Sequence, residues 1–241
     1  MKNQFTNPEQ NLKKHYNQLY SESIKKVKST NFQVDKLIDS KTDNRYGITL
    51  LIRPSTKIKN KFQKFLNELK KIEPDQYYYR NSDIHITVMS IISCYNGFNL
   101  THIDVNDYVN IISKSIEGEM CFDIDFTGVT SSQSAIMIQG FLNESTLNLI
   151  RDNLRNSFKI SNLEQSLDKR YSIQTAHSTV VRFKKDVKRK NEFIEVLEKY
   201  RNYKFGSFTV NKMELVGNDW YQRKEFVKKL RVFELKQKLE K

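Results

Sequence analysis

Two of the chain's four histidines stand in one four-residue frame, His85-Ile86-Thr87-Val88 and His177-Ser178-Thr179-Val180. On an extended strand side chains alternate between faces, so His85 shares a face with Thr87, and His177 with Thr179, about 7 Å apart at a rise of roughly 3.3 Å per residue. Ile86 and Val88 then point to the other face, where helices can cover them. Each frame presents an imidazole and a hydroxyl to one surface. Two such frames across a groove suit the cleavage of a phosphodiester. One neutral imidazole takes a proton from the attacking hydroxyl or water, one imidazolium protonates the departing oxygen, and the hydroxyls hold the phosphate oxygens. Attack and departure lie in line on opposite sides of phosphorus, so acid and base must reach the same phosphate from two directions.

The elements that must position these frames repeat. "GITLLIRPS" from Gly47 reads as a buried strand halted by Pro54, with Ser55 or Thr56 placed to cap a helix whose apolar face is Phe62, Phe65, Leu66, Leu69 and Ile72. Pro74 ends that helix, Tyr77, Tyr78 and Tyr79 follow, and the strand "DIHITVMSII" carries the first frame. In the second half "AIMIQGF" is again a short buried strand, and Leu147, Ile150, Leu154 and Phe158 again mark one helical face. After a polar stretch, "DKRYSIQTAHSTVVRF" delivers the second frame on a strand, and a tyrosine stands six positions before each histidine, Tyr79 and Tyr171. Gly47 to His85 and Ala135 to His177 span 38 and 42 positions, which argues for duplicated strand–helix–strand units, about 47–92 and 135–183, in two lobes built to one plan. His15 and His102 lack this context and read as a helix-surface and a loop residue.

Around the repeats, "DVNDYVNIISKSI" and "KNEFIEVLEKY" read as helices and "MCFDIDFTGVTSS" as a strand. "FTVNKMELVGNDW" followed by "KEFVKKLRVFEL" reads as a hairpin turned at Gly217-Asn218-Asp219. Residues 1–44 form a helical extension: Leu12, Tyr16, Leu19, Tyr20, Ile24 and Val27 recur at helical spacing, with Pro8 and Glu9 suited to the first turn. Its expected role is to pack on the main body.

The paired frames resemble those of the 2H phosphoesterase superfamily, which includes bacterial 2′-5′ RNA ligase-like proteins and cyclic phosphodiesterases. The resemblance covers roughly Arg45 to Leu235 and implies an α+β bilobal fold, residues 45–241, with two pseudo-symmetric antiparallel-sheet lobes and flanking helices around a central groove. It implies metal-independent chemistry, in the direction of hydrolysis or of ligation, on a 2′,3′-cyclic, 2′-5′-linked or cyclic oligonucleotide phosphodiester, with His85 and His177 catalytic and Thr87 and Thr179 on the phosphate. Ser178 stands where the family usually has an apolar residue, which weakens the packing argument for that strand and leaves its chemistry intact. Arg182 would lie on the face opposite His177 in a regular strand, and serves the phosphate only if the strand bulges. Tyr77, Tyr79 and Tyr171 are further candidates for substrate contact; the tyrosines at 77–79 could offer a ring to a base, although packing is the expected work of at least two of them.

Composition agrees with an anionic partner. Lys plus Arg (41) exceed Asp plus Glu (28), a net charge of +13 that favours encounter with nucleotides or RNA, although the basic residues are spread along the chain as on any solvated surface. Cys94 and Cys121 lack metal-site or disulfide spacing and read as reduced core residues. Glycine-rich phosphate loops and HExxH-like spacings are absent, so neither a cofactor nor a metal is implied. The first residues hold no signal-peptide core, and the longest apolar-leaning run, Ile84 to Cys94, is far short of the roughly 18 residues a membrane span needs. The expectation is a cytoplasmic monomer with a nucleotide or RNA substrate, no membrane association and no protein partner indicated. Two other readings compete. A non-catalytic RNA-end or nucleotide-binding module would not need both frames intact, and a mutarotase-like proton shuttle on a sugar would not need the threonines.

Overall fold

The computed structural model describes residues 8–29, 32–169 and 172–238. A helix, α1 (Pro8–Lys28), opens the chain. Strand β1 (Arg45–Ile52) follows, and Ser55 caps α2 (Thr56–Ile72) by accepting the Ile58 amide. That satisfies one of the donors a helix start leaves open. Next come β2 (Tyr77–Tyr78), β3 (Ile86–Asn96), α3 (Val105–Ile116) and β4 (Phe122–Ser131). The second repeat is β5 (Ala135–Leu142), α4 (Thr146–Lys159) and β6 (Ser178–Arg182). The chain then runs through α5 (Lys190–Lys199), β7 (Lys204–Val210), β8 (Lys212–Asp219) and β9 (Lys228–Glu234).

The strands form two antiparallel sheets, a four-stranded one ordered β3-β1-β8-β9 and a five-stranded one ordered β2-β6-β5-β4-β7. Set β2 aside and the two orders correspond term by term: β3 with β6, β1 with β5, β8 with β4, β9 with β7. The helices are exchanged between them. α2, from the first repeat, packs on β6 and β7 of the five-stranded sheet, while α4, from the second, packs on β3 of the four-stranded sheet. Phe62 of α2 meets Phe126 and Phe205 edge to face at 5.1 and 5.3 Å. The lobes therefore share one hydrophobic core rather than owning one each. Cys94 and Cys121 are both buried, and neither is in a disulfide.

α1 lies against β4, β5 and α5. Its buried stripe is Tyr16, Tyr20, Ser23 and Val27, spaced i, i+4, i+7 and i+11. Polar contacts fix its seat: the Ser23 hydroxyl meets that of Ser131 at 2.7 Å, Tyr20 donates to Glu198 at 2.7 Å, and Thr130 donates to the Tyr16 carbonyl at 2.9 Å.

The C-terminal hairpin differs from the sequence expectation. Gly217, Asn218 and Asp219 lie inside β8, paired with β1, and the reversal falls at residues 220–227. Gly217 is not there to turn the chain: a Cβ on it would stand 2.8 Å from the Tyr46 hydroxyl, so glycine answers a close approach. The segment before it is also two strands in two sheets. β7 pairs with β4, β8 pairs with β1, and the chain crosses between the lobes at Asn211.

Candidate active site

Both histidines stand one residue before their strands rather than within them, since β3 starts at Ile86 and β6 at Ser178. The alternation expected of the frames holds nonetheless. His85, Thr87, His177 and Thr179 are half-buried, while Ile86, Val88 and Val180 are fully buried. All four of these side chains line one cleft of about 600 Å3 between the sheets, together with Arg182, Ser90 and Trp220.

Arg182 reaches the cleft because β6 bulges. Met137 pairs with Thr179 and Ile136 with Val181, which leaves Val180 as the extra residue and reverses the alternation beyond it. Val180 and Val181 are both buried, and Arg182 emerges on the face of His177 and Thr179. The first frame carries the same bulge at Val88, because Leu51 pairs with Thr87 and Leu50 with Met89. Ser90 stands there where Arg182 stands in the second frame.

The tyrosines divide. Tyr79 is fully buried and its hydroxyl accepts from Arg182 Nε at 2.9 Å, so it aims the guanidinium rather than stacking on a base. Tyr77 packs edge-on against Tyr79 at 5.2 Å and is not brought to the cleft. Tyr171 lies outside the described residues. His15 is exposed on α1 as expected, yet it forms part of the cleft rim, and His102 is exposed in a short 3-10 turn.

Three residues not singled out in the sequence, Arg151, Thr175 and Trp220, shape the site together with Ser178, which is singled out there. Arg151 is buried and, among the described residues, pairs with no carboxylate; it donates to the carbonyls of Val88, Thr87 and Thr175 at 3.0, 3.0 and 2.9 Å, tying the first frame to the approach of the second. An arginine at i+4 from Leu147 and i−3 from Leu154 on an apolar helix face was the available signal. Ser178, expected to weaken its strand, donates to the His85 carbonyl at 2.8 Å, so the polar residue links one histidine's strand to the other histidine. Thr175 meets His177 Nδ1 at 2.5 Å. Trp220 supplies an aromatic ring beside Arg182, whose guanidinium lies 5.8 Å from the ring centre.

Behind His85 the Asp83 carbonyl lies 2.8 Å from Nδ1. A carbonyl only accepts, so Nδ1 carries the proton and Nε2 is left for the cleft. Burial lowers both imidazoles to about 4; the Asp83 carbonyl works against this at His85, whereas the Arg151 cation adds to it at His177. Without an anion between them, both rings are neutral at pH 7. Among the described residues no three His, Cys, Asp or Glu side chains are grouped to hold a metal ion, and no helix is long and apolar enough to cross a membrane.

No protein-family model and no curated protein matches the chain. Solved structures do. E. coli LigT in its apo form superposes with a TM-score of 0.55 at 11% identity, over 80% of this chain and 99% of LigT. A phosphoesterase gives 0.53 at 11% identity over 80% of this chain and all of its own. The conserved protein ATU0111 of Agrobacterium tumefaciens gives 0.53 at 16% identity over 88% and 98%. The chain has the 2H phosphoesterase fold. The cleft that receives both His-x-Thr frames is lined by strands of both sheets. At these identities the likeness is one of fold.

Proposed function

We propose that the protein is a metal-independent phosphodiesterase acting on a nucleotide or RNA phosphodiester, 2′,3′-cyclic, 2′-5′-linked or within a cyclic oligonucleotide. One observation carries this reading: two imidazoles, two threonine hydroxyls and one guanidinium converge on a single cleft of nucleotide size. His177, which burial and the Arg151 cation keep neutral, serves as the base. Its Nε2 takes the proton of the attacking water or hydroxyl as the new P–O bond forms. His85, whose Nδ1–H rests on a carbonyl that favours its charged form, serves as the acid once protonated, and its Nε2–H passes to the leaving oxygen as the old P–O bond breaks. Thr87, Thr179 and Arg182 hold the non-bridging oxygens, where negative charge collects. Trp220 offers the base a ring. E. coli LigT, which shares the fold, has been crystallised with 3′-AMP and with phosphate, in agreement with a nucleotide in this groove.

A panel of 2′,3′-cyclic nucleotides, 2′-5′ and 3′-5′ dinucleotides and cyclic oligonucleotides, assayed in EDTA, tests the proposal. Turnover of at least one class with chelator present is expected. Activity lost in EDTA and restored by zinc or manganese moves the protein to another mechanism. Thr87→Val and Thr179→Val keep shape and β-branching but remove a hydroxyl. A hydrogen bond to a charged group is worth about 1.5–3 kcal/mol, so each should lower kcat/KM by roughly 10–150-fold. A binding module would lose phosphate affinity with no turnover to lose, and a sugar-directed shuttle would be indifferent to both substitutions.

A further inference from the structure

The end of β8 and the loop after it bring every second residue to the cleft: Asn218, Trp220 and Gln222. Gln222 is held there at a cost. Its φ of 60° lies in the left-handed region that a glutamine seldom adopts, and it is only 3% exposed. The loop fixes that conformation from both sides. The Gln222 amide donates to the Asp219 carbonyl at 3.3 Å, and the Asp219 carboxylate accepts from the Arg223 amide at 2.9 Å and from Arg223 Nε at 2.6 Å. The Asp83 carboxylate accepts from the Lys224 amide at 3.1 Å. Asp83 is also the residue whose carbonyl backs His85, so Gln222 is seated against the first frame.

What this conformation holds in place is an acceptor without a donor. Among the described residues, Gln222 Oε1 and Asn218 Oδ1 are both buried with no hydrogen-bond partner. Asn218 Nδ2 donates to the Asp219 carbonyl at 2.8 Å, which assigns the oxygen of that amide to the other side. Burying two unpaired oxygens opposes folding, so their presence at a cleft wall points to a ligand that pairs them. Both oxygens can only accept. A phosphate brings them no proton, and Arg182 on β6 is the cation for its charge. The four-stranded sheet faces the cleft with Thr49, Ser90 and Ser93, hydroxyls without charge. The Trp220 ring stands between the two amides in sequence. A neutral planar group with N–H donors on its edge fits such a wall, and an exocyclic amino group carries two of them.

We propose that Gln222, together with Asn218, is a specificity-determining residue that reads the substrate's base: the amide oxygens accept from the exocyclic amino group of an adenine or cytosine stacked on Trp220. Hypoxanthine and uracil carry a carbonyl oxygen where these bases carry the amino group, and that oxygen would be set against oxygen. The four-stranded sheet then holds the base while Arg182 and the histidine frames hold the phosphate. The inference deepens the phosphodiesterase reading by naming the base, and rests on it for taking the ligand to be a nucleotide.

Calorimetric binding of two nucleotide pairs to the full chain tests this without any turnover: 3′-AMP against 3′-IMP, and 3′-CMP against 3′-UMP. The amino member should bind about tenfold or more tightly in at least one pair, the usual worth of matched base-edge hydrogen bonds. Gln222→Met keeps the length of the side chain and removes the amide, so it should bring that ratio to within about twofold while inorganic phosphate binds as in the parent. Gln222→Asn withdraws the amide by one methylene in a residue better suited to positive φ, and should also lose most of the ratio; it gives the answer should Gln222→Met disturb the loop. Equal binding within both pairs, or no binding of any of the four, overturns the inference, as does a ratio that survives both variants. An equal loss for both members of a pair would assign Gln222 to the sugar and overturn it too. Discrimination in the parent that both variants lose, with no turnover anywhere in the substrate panel, would defeat the phosphodiesterase reading and leave the base contact standing. Turnover without discrimination would do the reverse.

Discussion

The first and second histidine frames share a fold position, a bulge and a fully buried opposite face, yet they differ in everything behind and beyond the histidine. Behind, His85 leans on a carbonyl of its own strand approach, whereas His177 leans on a hydroxyl because Arg151 has taken the equivalent carbonyl. Beyond, the identical bulge brings Ser90 to the cleft in one frame and Arg182 in the other. A duplicated scaffold has therefore kept the geometry twice and placed the charge once. The proposed in-line displacement asks for this asymmetry, because the two sides of phosphorus need opposite protonation states while its oxygens need a cation only once.

The largest expected effect removes the symmetric part. His85→Ala and His177→Ala should each keep the fold and lower turnover by about 10²–10⁴-fold, and the double variant should lose much less than the product, because the groups act as a unit. Near-parental rates in either single variant would defeat the paired-histidine mechanism.

Next comes the asymmetric part. Arg182→Met should lower kcat/KM by roughly 10–150-fold, the worth of a charged hydrogen bond, while Ser90→Ala at the matching position should stay within about threefold. Equal losses at the two sites would mean that the frames are functionally equivalent.

The pH dependence sharpens the comparison further. With both imidazoles lowered to about 4 by burial in the empty cleft, few free molecules hold one charged ring at neutral pH. A bound phosphodiester anion favours imidazolium, so the bell for kcat should lie at higher pH than the bell for kcat/KM by about one unit or more. Superimposed profiles would contradict this. The same shifts act on stability. The unfolded chain protonates its histidines near the ordinary value of about 6.5 and the folded one only near 4, so stability is lost as pH falls from about 6.5 toward 4. The His85→Gln, His177→Gln double variant should lose less over that interval in thermal melts.

The smallest effect concerns the tie between the frames. Ser178→Ala removes a donor from the His85 carbonyl, costing about 0.5–1.5 kcal/mol or a melting point lower by roughly 1–6 °C, with turnover reduced less than about tenfold. An unchanged melting point would show that the two strands hold their spacing without it.

Local sequence determined a good deal of this protein. Strand and helix periods, Ser55 as a cap, Pro74 as a stop and the repeated His-x-Thr frame are written in neighbours a few positions apart, and physical rules at that range are enough to read them. Alternation along a strand placed the hydroxyls with the histidines and named a bulge as the condition for Arg182 to join them. Pairing partners are what only the tertiary structure decided. The bulge at Val180 exists because Met137 and Ile136 fix the register opposite it, and Gly217-Asn218-Asp219 remains a strand because β1 pairs with it despite its turn chemistry. The crossing of α2 and α4 between the sheets and the burial of Arg151 on carbonyls of the first frame and of the approach to the second join residues more than twenty positions apart. Such contacts depend on which surfaces meet once the chain has closed on one core, and no pattern along the chain records that meeting.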